Sequence, residues 1–112
     1  MYWNIKIISA QELADRLERQ PGSLRVIDVR EHTEISGGAV PGAETIPLAT
    51  VPLRLGDLDP EEILVFVCRS GARSAQACAY LLQQGYDKVY NLHGGMIAWA
   101  QAGLPTPLPE AV

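Results

Sequence analysis

Ile63-Leu64-Val65-Phe66-Val67 is an unbroken apolar run of strand length, and a helix-like pattern starts a few residues beyond it. A strand with one face in water alternates apolar and polar residues, so an unalternated strand is covered on both faces. Coverage by helices on both faces, with a helix following the strand, calls for crossover connections and a mainly parallel sheet. The rest of the chain repeats the alternation. Asn4 to Ile8 reads as a short strand, and Ser9 with Glu12 forms an N-cap and capping box for a helix over Gln11 to Arg19, closed by Pro21-Gly22. Leu24 to Val29 reads as a second buried strand, and Glu31 to Ala43 as a Gly-rich polar loop turning at Pro41-Gly42. Thr45 to Leu48 is expected as a short edge strand, because of its proline, and Val51 to Leu58 as a helical turn or two. Further on come a strand over Ile63 to Cys68, a helix over Ser74 to Gln84 stopped by Gly85, a strand over Lys88 to Leu92 and a last helix over Met96 to Ala102. Pro105, Pro107 and Pro109 make the end extended and mobile.

At 112 residues the chain is one domain with an ordinary core. Hydrophobic residues make up 47% and charged residues 20%, which suits a soluble globular protein. No apolar stretch approaches the roughly 20 residues that span a bilayer, and Met1-Tyr2-Trp3-Asn4-Ile5-Lys6 lacks a signal-peptide pattern. A cytoplasmic protein is expected. The net charge of −4 gives no reason to expect nucleic acid or an acidic membrane as partner. Cys68 and Cys78 with His32 and His93 show none of the usual zinc-ligand spacings, so neither a metal nor another cofactor is called for.

Chemistry concentrates at Cys68. In an open parallel sheet, ligands bind beyond the carboxyl ends of the strands, and there Cys68 opens the segment Cys68-Arg69-Ser70-Gly71-Ala72-Arg73-Ser74. The free N–H groups of a helix start, the helix dipole and two arginines all favour negative charge at the sulfur. The dipole contributes about 0.3 to 1 kcal/mol, whereas one pKa unit is about 1.4 kcal/mol. A shift of two units therefore also needs hydrogen bonds from the loop and charge from Arg69 or Arg73. Gly71 can take the positive φ that a cradle of inward-pointing amides requires. The segment holds no carboxylate, which makes a basic setting for a small anion.

Asp28-Val29-Arg30, Glu34, Gly38 to Ala43, Ile46-Pro47, Val67 to Ser74 and Asn91-Leu92-x-Gly94-Gly95-x-x-Ala98-Trp99-x-x-Ala102-Gly103-Leu104-Pro105 together resemble a single-domain rhodanese, a sulfurtransferase. The resemblance covers nearly the whole chain, in order. It implies a rhodanese-like three-layer α/β/α domain with a mainly parallel five-stranded sheet over residues 1–106, followed by a Pro-rich tail over 107–112. It further implies an enzyme of the thiosulfate sulfurtransferase type. Cys68 would be the catalytic residue, taking sulfane sulfur from an anionic donor such as thiosulfate as a persulfide and passing it to a thiol, cyanide or protein acceptor. Arg69, Ser70, Gly71, Ala72, Arg73 and Ser74 would bind the substrate. Two positions depart from the family pattern: Ala39 stands where a His is usual and Ile35 where an aromatic is common.

Other readings stand beside this one. Cys68 as a small buried hydrophobe is the plain alternative, and Arg69 and Arg73 as solvated helix-start charges another. Cations oppose the dipole at a helix N-terminus, which favours substrate contact, for Arg73 more than Arg69. Ser74 reads as an N-cap or first-turn residue, Cys78 as a packing residue, and Asp28, Arg30 and Glu34 as a structural charge cluster. His93 sits at the pocket rim or on the surface, His32 on the surface, and Trp99 in the core. A Cys-dependent phosphatase or arsenate reductase would resemble Cys-x5-Arg, whereas here the arginine follows after four residues, at Arg73. A persulfide carrier or docking module for a partner protein would keep the same loop.

Overall fold

The computed structural model describes residues 5–108. The Met1 to Asn4 start, which includes the first residue expected in a strand, and Pro109 of the tail lie outside the described residues. The elements run β1 (Lys6–Ile8), α1 (Ala10–Arg19), β2 (Arg25–Asp28), α2 (His32–Ile35), β3 (Glu44–Thr45), a 3₁₀ segment (Leu48–Asp57), β4 (Leu64–Val67), α3 (Ala72–Gln83), β5 (Val89–Leu92) and α4 (Gly95–Gln101). The strands form one five-stranded sheet in the order β1-β5-β4-β2-β3, and every pairing is parallel. This is the mixed α/β architecture expected from the alternation of strands and helices.

β4 sits at the centre, and its side chains divide the core in two. Leu64 and Phe66 join Ile27, Val29, Ala77, Cys78 and Leu81 under α3 and the 3₁₀ segment. Val65 and Val67 join Val26, Leu13, Met96 and Trp99 under α1 and α4. Alternate residues of a strand point to opposite faces, so an unalternated run serves both layers at once. The capping box at α1 forms as its sequence implies: Ser9 Oγ accepts from Glu12 N, and Glu12 Oε1 accepts from Ser9 N.

β2 is less purely apolar than the reading of Leu24 to Val29 as a buried run implies, because it carries Arg25 and Asp28. Arg25, near the strand's start, forks onto Glu44 at 2.8 Å and meets Glu62 at 3.1 Å. Asp28, wholly buried, pairs with Arg30 at 2.8 Å, and Arg30 also donates to Gly38 O. A buried charge persists only when paired and hydrogen-bonded.

Four stretches differ from expectation. The edge strand covers Glu44–Thr45 rather than Thr45 to Leu48, because Pro47 caps the 3₁₀ segment that starts at Leu48. The loop over Glu31 to Ala43 contains α2, a single turn that Glu34 fastens by accepting from Glu31 N at 3.1 Å. α3 begins at Ala72 rather than Ser74, with left-handed Gly71 as its N-cap. The 3₁₀ segment is longer than a turn or two and admits Pro52 within it. At the other end, the extended chain after α4 is tied down: Trp99 Nε1 donates to Pro105 O at 2.8 Å, and Ala39 N donates to Pro107 O at 3.2 Å. Among the described residues no helix is long and apolar enough to cross a membrane.

Candidate active site

Cys68 follows directly on β4, and Gly71 N donates to its Sγ at 3.1 Å. Sulfur here takes the place of the side-chain oxygen that ordinarily accepts from the first turn of a helix. Gly71 has φ +103°, a region open to glycine and strained for other residues, and this bend aims its N–H at the sulfur. Ser74, in the first turn of α3, brings its Oγ to 3.3 Å from Sγ. Cys68 is 1% exposed, so the sulfur lies at the floor of the loop.

The amides face inward because the carbonyls are held outward. Met96 N donates to Cys68 O at 2.9 Å, and Ile97 N donates to Arg69 O at 3.1 Å. These are first-turn N–H groups of α4, which otherwise lack helical partners. Gly71 O accepts from Asn91 Nδ2 at 3.0 Å and from Ala75 N at 3.1 Å. The close approach of α4 requires Gly95, whose φ is +58°. A Cβ there would meet Cys68 O and come within 2.6 Å of the Arg69 carbonyl.

Burial, the largest influence on the Cys68 thiol, raises its pKa. The Ser74 hydroxyl and the amides of Ser74, Gly71 and Ser70 outweigh it, and the net displacement is downward. Hydrogen bonds therefore take the part that the sequence shares between the loop and arginine charge. Arg73 does feel the Cys68 charge, but its chief partner is Glu34.

Arg73 reaches Glu34 with both terminal nitrogens, at 2.7 and 2.8 Å. The fork holds Glu34 down to a pKa of about 2. The segment from Cys68 to Ser74 lacks a carboxylate, but the folded site does not: α2 supplies one. Asp28, Arg30 and Glu34 thus divide into two pairs, Asp28 with Arg30 and Glu34 with Arg73. Arg69 is exposed and has no ion-pair or hydrogen-bond partner for its side chain among the described residues. It borders a groove of about 460 Å³ with Arg30, Glu34, Met96, Ile97 and Ala100.

Ser70 and Ala72 are exposed on the rim of the loop, whereas Ser74 is wholly buried and is not the N-cap. Cys78 lies inside α3, wholly buried, and burial pushes its thiol up to about 12. His32 and His93 are both exposed, and Trp99 is in the core. Asn91 belongs to the site through its contact with Gly71 and through a 2.6 Å hydrogen bond from Ser74 Oγ to its Oδ1. Its signal in the sequence is an amide within the otherwise apolar or aromatic Val89-Tyr90-Asn91-Leu92 run, where a buried polar side chain needs partners.

A rhodanese-like domain model matches residues 9–102. The chain is 46% identical over 103 residues to a sulfurtransferase of Allochromatium vinosum, covering 92% of this chain and 95% of the relative. It is 32% identical to the thiosulfate sulfurtransferase GlpE of Shewanella oneidensis, covering 88% and 96% of the two chains. A crystal structure of a rhodanese-like domain protein from Staphylococcus aureus superposes with a TM-score of 0.81 at 36% identity, covering 92% of this chain and 99% of that one. With its parallel sheet and a cysteine loop closing the central strand, the chain belongs to the rhodanese-like sulfurtransferase family.

Proposed function

We propose that Cys68 carries sulfane sulfur from a small anionic donor, thiosulfate being the first candidate, to a thiol or cyanide acceptor. The observation that carries the reading is the ring of donors on one sulfur: Gly71 N at 3.1 Å, Ser74 Oγ at 3.3 Å and the neighbouring amides. Such a ring stabilises an anion without moving protons. The Cys68 thiolate attacks the outer sulfur of thiosulfate, the donor's S–S bond breaks, and sulfite leaves with the electron pair. The product is a Cys68 persulfide with its charge on the outer sulfur. Cyanide or a thiolate then takes that sulfur, releasing thiocyanate or a new persulfide and restoring the Cys68 thiolate. Arg69, without a carboxylate partner among the described residues, draws in the anionic donor, and Ser70, Gly71, Ala72, Arg73 and Ser74 form the binding loop around it.

Phosphate chemistry fits less well. The arginine comes one residue early for a Cys-x5-Arg loop, and its guanidinium is already taken by Glu34. Delivery to a protein acceptor is a second reading, favoured by the groove beside Arg69, whose lining includes Met96, Ile97 and Ala100.

The test is intact-protein mass spectrometry after incubation with thiosulfate, before and after cyanide, on wild type and Cys68→Ser. We expect a gain of about one sulfur atom on wild type alone, removed by cyanide, as thiolate chemistry at a helix start predicts. No adduct from thiosulfate, glutathione persulfide or a protein persulfide would sink the assignment, as would uptake retained in Cys68→Ser.

A further inference from the structure

Ser74 has one hydroxyl hydrogen and two neighbours that can accept it. Its Oγ lies 2.6 Å from Asn91 Oδ1 and 3.3 Å from Cys68 Sγ, and a hydroxyl donates one hydrogen bond while accepting others. Asn91 is not free to exchange the ends of its amide. Its Nδ2 donates to Gly71 O at 3.0 Å, and a flip would set two carbonyl oxygens against each other. Oδ1 therefore faces Ser74 as an acceptor. Cys68, Ser74 and Asn91 are 1%, 0% and 9% exposed, so a donor lost to Oδ1 is not readily replaced from bulk water.

With the thiol protonated, the three groups are satisfied in series: S–H donates to Ser74 Oγ, and the Ser74 hydrogen goes to Asn91 Oδ1. Ionisation changes this. The thiolate needs the hydrogen, and turning it toward sulfur leaves Oδ1 buried without its donor. Once Cys68 holds a second sulfur, the charge sits one atom further out and Sγ is a weak, neutral acceptor. The hydrogen can then return to Oδ1. We propose that Asn91 is a positioning residue that competes with Cys68 for the Ser74 hydrogen, and so favours the sulfur-loaded state over the empty thiolate.

The loaded-state half of this proposal rests on the sulfur-transfer reading above; the competition for the hydrogen does not. Among the described residues, the other charged or titratable groups around Cys68 include Arg69 in its own loop, Arg73 and Cys78 on α3, Glu34 of α2 behind Arg73, and Glu31 and Arg30 beside that pair. None of them contacts Ser74 Oγ.

The experiment compares wild type, Asn91→Leu, Ser74→Ala and the double variant, each checked for its fold by circular dichroism. The first readout is the pH midpoint of iodoacetamide alkylation at Cys68. The second is the ratio of loaded to empty protein at a fixed thiosulfate-to-sulfite ratio, at a pH above all midpoints. The magnitude of one neutral hydrogen bond predicts that Asn91→Leu lowers the midpoint by about half a unit to one unit and lowers the loaded-to-empty ratio about threefold to tenfold. In the Ser74→Ala background the same change should alter neither. A raised or unmoved midpoint, or an equal shift without Ser74, would overturn the proposal. If Asn91→Leu fails to fold, Asn91→Asp takes its place: a carboxylate that grips the hydrogen and adds negative charge should raise the midpoint, and a lowered one would overturn the idea. A wild type that takes up no sulfur from any donor would refute sulfur transfer, and the alkylation midpoints would still decide whether Asn91 competes for the hydrogen.

Discussion

The sulfur of Cys68 is held just before the helix start, accepting from Gly71 N and Ser74 Oγ. Its acceptor role toward Gly71 N and Ser74 exists only while the loop keeps its shape, so reactivity and local conformation rise and fall together. The downward pKa means that thiolate, and with it alkylation, persists to lower pH than for an ordinary thiol and is lost as pH falls through the midpoint. The two arginines should separate in mutation. Arg69→Ala should raise the KM for thiosulfate about two- to fivefold, the range of one exposed charge contact, and less so in high salt. Arg73→Ala should leave that KM closer to wild type and lower the melting temperature, because its guanidinium is spent on Glu34; it should raise the alkylation midpoint slightly, because the Glu34 carboxylate is left unpaired near the loop. Equal KM effects from both variants would contradict this division. The position of Cys68 and its loop was legible because an apolar strand run ends at the thiol and a helical pattern starts just beyond it. The partner of Arg73 was not, since Glu34 lies 39 residues earlier and only the fold brings it across.

At the scale of elements, the loop's geometry belongs to α4 as much as to α3. Two N–H groups of the α4 start bond the carbonyls of Cys68 and Arg69, and Gly95 makes room for that contact. Gly95→Ala should therefore destabilise the fold by about 1 to 3 kcal/mol, the range of a strained backbone position, and should also reduce sulfur uptake by turning the loop carbonyls. Gly103→Ala is the control: it shares the positive φ, but its Cβ would meet open space. It should lose some stability on denaturant melting and keep its uptake. The central strand was readable from its apolar run and α1 from Ser9 and Glu12, whereas β3, only Glu44–Thr45, has no apolar run to mark it. α2 was not, because a single turn among glycines has no periodicity to read; Glu34 holds it from both sides, accepting from Glu31 N and from Arg73.

Across the whole molecule, ion pairs join elements far apart in the chain: Arg25 of β2 with Glu44 and Glu62, and Glu34 of α2 with Arg73 of α3. The Glu34–Arg73 pair lies partly open, so its worth is at most about 1 kcal/mol after solvent screening. Its sign is definite. With a folded pKa of about 2 against 4.5 for the free side chain, the stabilisation is complete above about pH 4.5 and is lost as pH falls toward 2. Denaturant melts at pH 5.5 and pH 3 should show wild type losing more stability than Glu34→Gln across that window; equal losses would mean that the pair contributes nothing.

The sequence alone determined the layered α/β architecture, the place of Cys68 at the end of the central strand and the family resemblance. These follow from local signals: apolar runs, caps, glycines at turns and a cysteine at a strand end. What only the tertiary structure decided is which groups meet that sulfur and with what charge. Glu34 pairs with Arg73, α4 holds the loop's carbonyls, and Asn91 Oδ1 accepts from Ser74 Oγ. Each of these contacts joins residues distant in the chain, and hydrogen bonds act over about 3 Å, a distance that spacing along a sequence does not encode.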